Sequence, residues 1–103
     1  MNKLLLFLFF LIFYKANLGL ADSMMEIGFD VYNNKGQCGV CHTLQAANST
    51  GNIGPNLDQL KPTIDQIIYV VTKGIGVMPS WEGILTKEEI EAVAHYVFNS
   101  TKN

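Results

Sequence analysis

Cys38-Gly39-Val40-Cys41-His42 sets two thiols two residues apart and follows the second at once with an imidazole. This Cys-x-x-Cys-His order is the signature for covalent haem attachment. Two intervening residues let both sulfurs reach vinyl groups on one edge of a porphyrin from a single tight turn. His42 then falls beneath the ring, where it can ligate iron from one side. The bare Cys-x-x-Cys pair is shared with zinc knuckles and thiol oxidoreductases; the added histidine, downstream of an export signal, separates this chain from them.

That signal occupies residues 1–21. Lys3 and the amino terminus give a positive start, Leu4 to Tyr14 is an unbroken apolar run, and Gly19-Leu20-Ala21 offers small residues before a cut. Cleavage is expected after Ala21, leaving one exported domain, 22–103, in the periplasm, or in a thylakoid lumen if the chain serves photosynthesis. The apolar run is shorter than the ~20 residues that cross a bilayer, and Lys15 and Asn17 interrupt it, so no stable membrane insertion is expected once the signal is cut. A retained anchor is the alternative, because Leu18 to Ala21 could lengthen the segment.

A processed chain of about 80 residues is at the size where a protein core alone gives marginal stability, and a covalently held cofactor acts as a staple. The formal net charge is −2, and removing Lys3 and Lys15 takes it further negative. With a negative net charge and no arginine in the sequence, the chain lacks the basic surface that a nucleic-acid partner requires.

The two cysteines of an exported chain would otherwise be read as one disulfide. That loop would be tiny, with little entropic benefit, and His42 would have no role. A zinc site would need four ligands, and Cys41, His42 and remote His95 make a poor tetrahedron. A thiol oxidoreductase would place the pair after a strand, and no strand is expected before Cys38.

Three segments open on a Ser or Thr followed three residues later by Glu or Gln: Ser23 with Glu26, Thr63 with Gln66, and Thr86 with Glu89. They predict three helices. The first runs to about Lys35, with Gly36 as a left-handed stop. The second follows Pro62 and reaches Lys73, with Ile64, Ile67, Ile68 and Val71 as its inward stripe. The third spans about Thr86 to Ser100, with Ile90, Val93, Ala94 and Val97 inward and Tyr96 on the flank. Between them, Asn48 to Asn56 and Gly74 to Gly83 are rich in turn residues, and no stretch alternates long enough for a strand. Loops over nearly half of a small helical domain make sense if they wrap a flat apolar cofactor.

A low-spin electron-transfer haem takes a second axial donor, and methionine is the usual one. Outside the signal stand Met24, Met25 and Met78. The first pair lies near the new amino terminus and reads as packing. Met78, in an interhelical loop and followed by Pro79, is the candidate. His95 competes, but its helical angle turns it away from the apolar stripe. In Gly54-Pro55-Asn56-Leu57, the Pro55 carbonyl is a candidate acceptor for the second nitrogen of His42, which would set its tautomer; without the haem reading these four residues are simply a turn.

From about Gly28 to Tyr96 the chain resembles the class I cytochromes c of small bacterial or algal type. The resemblance rests on Cys38-Gly39-Val40-Cys41-His42, on Gly54-Pro55-Asn56-Leu57, and on Val77-Met78-Pro79-Ser80-Trp81-Glu82-Gly83 leading into the Thr86 helix. It implies an all-α, cytochrome c-like fold of three main helices and long loops around one haem c, attached through Cys38 and Cys41. It implies first and last helices crossing at Gly28, Tyr32 and Tyr96, a Pro55 carbonyl bonded to the axial His42, and Met78 as distal ligand. Trp81 would line the haem crevice or serve ordinary core packing. The family often surrounds the haem edge with lysines, and this chain has few.

The function implied is that of a monomeric one-electron carrier without catalysis of its own. It would serve a cytochrome bc complex, a terminal oxidase or a periplasmic dehydrogenase, with an acidic surface suited to basic partners. Alternatives are a haem-bearing subunit of a dehydrogenase or oxidase, and a peroxidase or gas sensor with a labile Met78.

Overall fold

The computed structural model describes residues 23–102; the leader and the expected cut after Ala21 lie outside them. Helix α1, residues 23–30, passes without a break into a π turn, Val31–Lys35, closed by the Gly36 N–H on the Val31 carbonyl at 2.7 Å. Ser23 is itself helical rather than preceding the helix, so the capping box expected of Ser23 and Glu26 does not mark its start. Gly36 is not the left-handed stop either. Its φ is −96°, and Gln37 takes the left-handed conformation instead, at φ 47° and ψ 44°. Gly36 is small for a different reason: a Cβ there would stand 3.0 Å from Cys38 Sγ.

Both other capping boxes form. Thr63 and Gln66 exchange bonds of 3.0 and 3.1 Å at the start of the helix Ile64–Lys73, and Thr86 and Glu89 exchange bonds of 2.9 and 3.1 Å before Lys87–Thr101. These helices are α3 and α4, because a short α2, Leu57–Leu60, precedes them. It begins inside the segment that reads as a turn: the Asn56 side chain accepts from the Asp58 and Gln59 amides and starts a helix there.

The chain also forms a small ladder where no strand was expected. Thr43–Leu44 (β1) pairs antiparallel with Ser49–Thr50 (β2), Leu44 facing Ser49 in register. Two residues per strand are too few to leave an alternating pattern, and Leu44, fully buried, anchors the hairpin to the core.

The core lies where α4 packs against α3, α2 and the π turn. Ile67 and Val71 meet Ile90, Val93, Ala94 and Val97, each burial contributing roughly 1–3 kcal/mol for the larger side chains. Tyr96, beside that stripe, is buried at the expected crossing with Gly28 and Tyr32, its ring 5.8 Å from that of Tyr32 and edge-on to Phe29 at 5.9 Å. At this crossing the backbones nearly touch. A Cβ on Gly28 would stand 2.3 Å from the Ala92 carbonyl oxygen and 2.6 Å from Tyr96 Cβ, so the glycine that costs α1 some helix propensity is what lets the two helices close. Crossing helices on one side leave α2, α3 and the loops to enclose the other.

Candidate functional site

The π turn and Gln37 deliver the chain into a 3₁₀ turn, Cys38–Val40, in which the Cys38 carbonyl accepts from the amides of Cys41 and His42 at 3.1 and 3.0 Å. Both cysteines thereby sit on one tight turn with His42 directly beyond. Both thiols are free and partly buried. Burial pushes the Cys38 thiol up to about 11, so it is held as the neutral, apolar form.

His42 is fixed by two neighbours. Its Nδ1–H donates to the Pro55 carbonyl at 2.7 Å, which leaves Nε2 as the nitrogen with a free lone pair. Gly54 packs flat against the ring: a Cβ there would lie 2.6 Å from His42 Cε1. The Gly54 amide is itself tied to the Cys41 carbonyl at 2.7 Å, so the loop that orients the imidazole is pinned to the cysteine turn.

Two adjoining cavities, of about 480 and 390 Å³, meet at Cys38, His42, Pro55, Ile75 and Met78. The first also takes in Cys41, Gly54 and Trp81; the second runs between α3 and α4 to Ile67, Val71, Val93 and Val97. No Asp, Glu or Lys side chain lines either one. Such a space suits a large, flat, apolar group.

The other expected donors separate cleanly. Met78 borders both cavities, whereas Met24, Met25 and His95 border neither. Met25 packs against the core beside Asn99. Among the described residues no three His, Cys, Asp or Glu side chains converge on a point, which leaves the zinc alternative without a ligand set. Trp81 lines the cavity and packs on the core at once, its amide donating to the Val71 carbonyl at 2.9 Å.

Sequence reasoning missed the mouth of the site. Val40, Ile53, Ile75 and Val77 line the first cavity and are all largely exposed, Val77 at 86%. They form an uncharged apolar collar. The signal was present in the apolar residues of otherwise polar, turn-rich loops, where nothing else accounts for them.

The donor set, two thiols and an imidazole beside a thioether, fits an iron porphyrin held covalently on one edge. The pre-set Nε2 and the space that Gly54 leaves beside the ring are the structural marks of that fit.

Comparison with known proteins bears on the same point. Residues 23–97 match the family described as cytochrome C oxidase, cbb3-type, subunit III. The chain is 34% identical over 93 residues to "Cytochrome c6, chloroplastic" of Chlamydomonas reinhardtii, covering 81% of this chain and 57% of that protein. It therefore spans little more than half the length of that relative. It is 34% identical over 88 residues to "Cytochrome c6" of Chlorolobion braunii, covering 76% of this chain and 92% of that one. The crystal structure of the c-type cytochrome SorU from Sinorhizobium meliloti matches with a TM-score of 0.72 at 44% identity, over 78% of this chain and 93% of that chain.

Proposed function

The chain belongs to the class I c-type cytochromes, and from that premise we propose that it is a one-electron carrier whose haem c is bound by Cys38 and Cys41 and ligated by His42 and Met78. The observation that carries the reading is the convergence of those four side chains on one uncharged cavity. When bound, the haem supplies reversible one-electron exchange between ferric and ferrous iron.

The chain's own residues account for the rest. The Cys38–Val40 turn presents both thiols to one edge of the cavity. The Pro55 carbonyl keeps His42 in the Nδ1–H tautomer, so Nε2 is the nitrogen that would ligate iron. Trp81, Ile67, Val71 and Val93 exclude water, which in this ligand class keeps the potential high. His42 and Met78 both border the cavity, and a haem held by both would leave no open position for a substrate, so the domain would carry electrons and perform no bond chemistry.

Exchange with partners takes place at the collar of Val40, Ile53, Ile75 and Val77, through a small transient contact. The negative net charge steers basic partners from a distance, while the collar itself makes the close contact. Such partners are exported or membrane-bound redox proteins: a cytochrome bc complex, a terminal oxidase or a periplasmic dehydrogenase. The protein works in the periplasm or an equivalent lumen as a monomer freed from its leader. Among the described residues no helix is long and apolar enough to cross a membrane.

A redox titration of the purified protein under carbon monoxide tests this reading. One-electron behaviour with no carbon monoxide adduct of the reduced form at neutral pH supports a closed carrier. Ready adduct formation would instead favour the peroxidase or gas-sensor alternative. A second reading, a subunit of a larger oxidase, is favoured by the description of the matched family; co-purification of the native protein with an oxidase would establish it.

A further inference from the structure

Met78 packs against the core and borders both cavities, but the rest of its turn is exposed. Val77 and Pro79 on either side are exposed, and Gly76 at the tip has φ +56°. Hydrogen bonds hold that turn. The Ile75 amide donates to the Met78 carbonyl at 3.1 Å and the Met78 amide to the Ile75 carbonyl at 2.9 Å. These close the turn on itself without fixing it to the domain.

The attachment is at the end of α3, where the last carbonyls lack helical partners. The Val71 carbonyl accepts from the Trp81 amide at 2.9 Å, and the Thr72 carbonyl accepts from the Ser80 hydroxyl at 2.6 Å. Pro79 has no N–H to offer, so between Met78 and Trp81 the Ser80 side chain supplies the tie. Gly74 brings the two strands of the loop together: a Cβ there would stand 2.8 Å from the Met78 carbonyl oxygen and 2.7 Å from the Ser80 amide nitrogen. Its φ of +75° is a glycine conformation as well.

We infer that Ser80 is a positioning residue for Met78: its hydroxyl latches the methionine turn to the C-terminal end of α3 and sets how firmly the thioether is held in the cavity. The inference rests on the reading of Met78 as the distal donor. Ser80 lines neither cavity. It acts through two residues of backbone, and a hydrogen bond of ordinary net strength shifts the open and closed populations of the turn by roughly three- to tenfold. The Trp81 anchor is main-chain and survives substitution at position 80, so the variants fold.

The test uses haem-loaded, oxidised protein: wild type, Ser80→Ala, Ser80→Thr, and Thr63→Ala, which loses the N-cap at the far end of the same helix. Imidazole is titrated against each, following loss of the long-wavelength Met–iron absorption band, and denaturant unfolding is measured in parallel. Ser80→Ala is expected to bind imidazole roughly three- to tenfold more tightly than wild type. Ser80→Thr, with its hydroxyl kept, should match wild type; Thr63→Ala should be less stable to denaturant with unchanged imidazole affinity. Equal affinity in Ser80→Ala and wild type overturns the latch, as does a Thr63→Ala shift as large as that of Ser80→Ala. A wild-type protein that lacks the band altogether overturns the Met78 reading itself.

Discussion

His42 Nδ1 and the Pro55 carbonyl oxygen stand 2.7 Å apart, and that bond decides which nitrogen of the imidazole is available to a metal. Its geometry depends on Gly54. A side chain at that position would overlap the ring, at 2.6 Å from Cε1 and 2.9 Å from Nδ1. Gly54→Ala should therefore tilt His42 and lengthen its bond to Pro55. Disturbing an outer-shell partner of this kind typically costs about 10–100-fold in metal affinity. The expected outcome is a sharp fall in haem-loaded protein at equal expression, measured as the ratio of Soret to protein absorbance. A normal ratio would mean that the Gly54 contact does not matter to the site.

Much of this site was legible in the sequence because its chemistry is local. Cys38, Cys41 and His42 share one turn, and Thr63 with Gln66 and Thr86 with Glu89 fix two helix starts within four residues each. Gly36 was misread as the left-handed stop because the helix closes through a π turn, and the left-handed conformation falls one residue later, on Gln37. The burial of Tyr96 was legible only through the family resemblance, because it comes from Gly28 and Tyr32, far away in sequence. Helix α2 was hidden because four residues carry no period, and only the Asn56 cap announced it. The collar required knowing which loops converge in space.

Lys35 and Glu89 tie the end of the π turn to the first turn of α4. The hydrogen bond from Lys35 holds the Glu89 carboxyl below its ordinary value, with help from the Thr86 amide, and the same bond holds the Lys35 ammonium above its own. A carboxylate depressed in the folded state adds stability above its unfolded value of about 4.3 and loses it as pH falls through the lowered one. The raised lysine adds stability below about 10.4 and loses it as pH rises through its folded value. Glu89→Gln should be the less stable protein across the window between them and converge with wild type in acid. Denaturant midpoints against pH check this, and high salt should shrink the gap because the Lys35 end of the pair is exposed. A gap that persists into acid would assign the effect to packing.

Val77 is the most exposed apolar residue of the collar. A charge there leaves the interior untouched and spoils the desolvated contact with a partner. Val77→Glu should slow bimolecular electron transfer to a membrane oxidase or bc complex by about tenfold, the cost of leaving one charge unpaired at an interface. Its visible spectrum should match wild type. Stopped-flow rates at several salt concentrations make the measurement. An unchanged rate would place the docking face elsewhere.

The central claim is that iron porphyrin is bonded to this polypeptide through Cys38 and Cys41. The most direct measurement is the mass of the denatured, acid-extracted chain, with its visible spectrum before extraction. The expected result is a chain heavier by one haem whose colour stays with the protein, and a Cys38→Ala, Cys41→Ala double variant that releases it. A folded, colourless chain of unmodified mass, with both thiols free, would contradict the account.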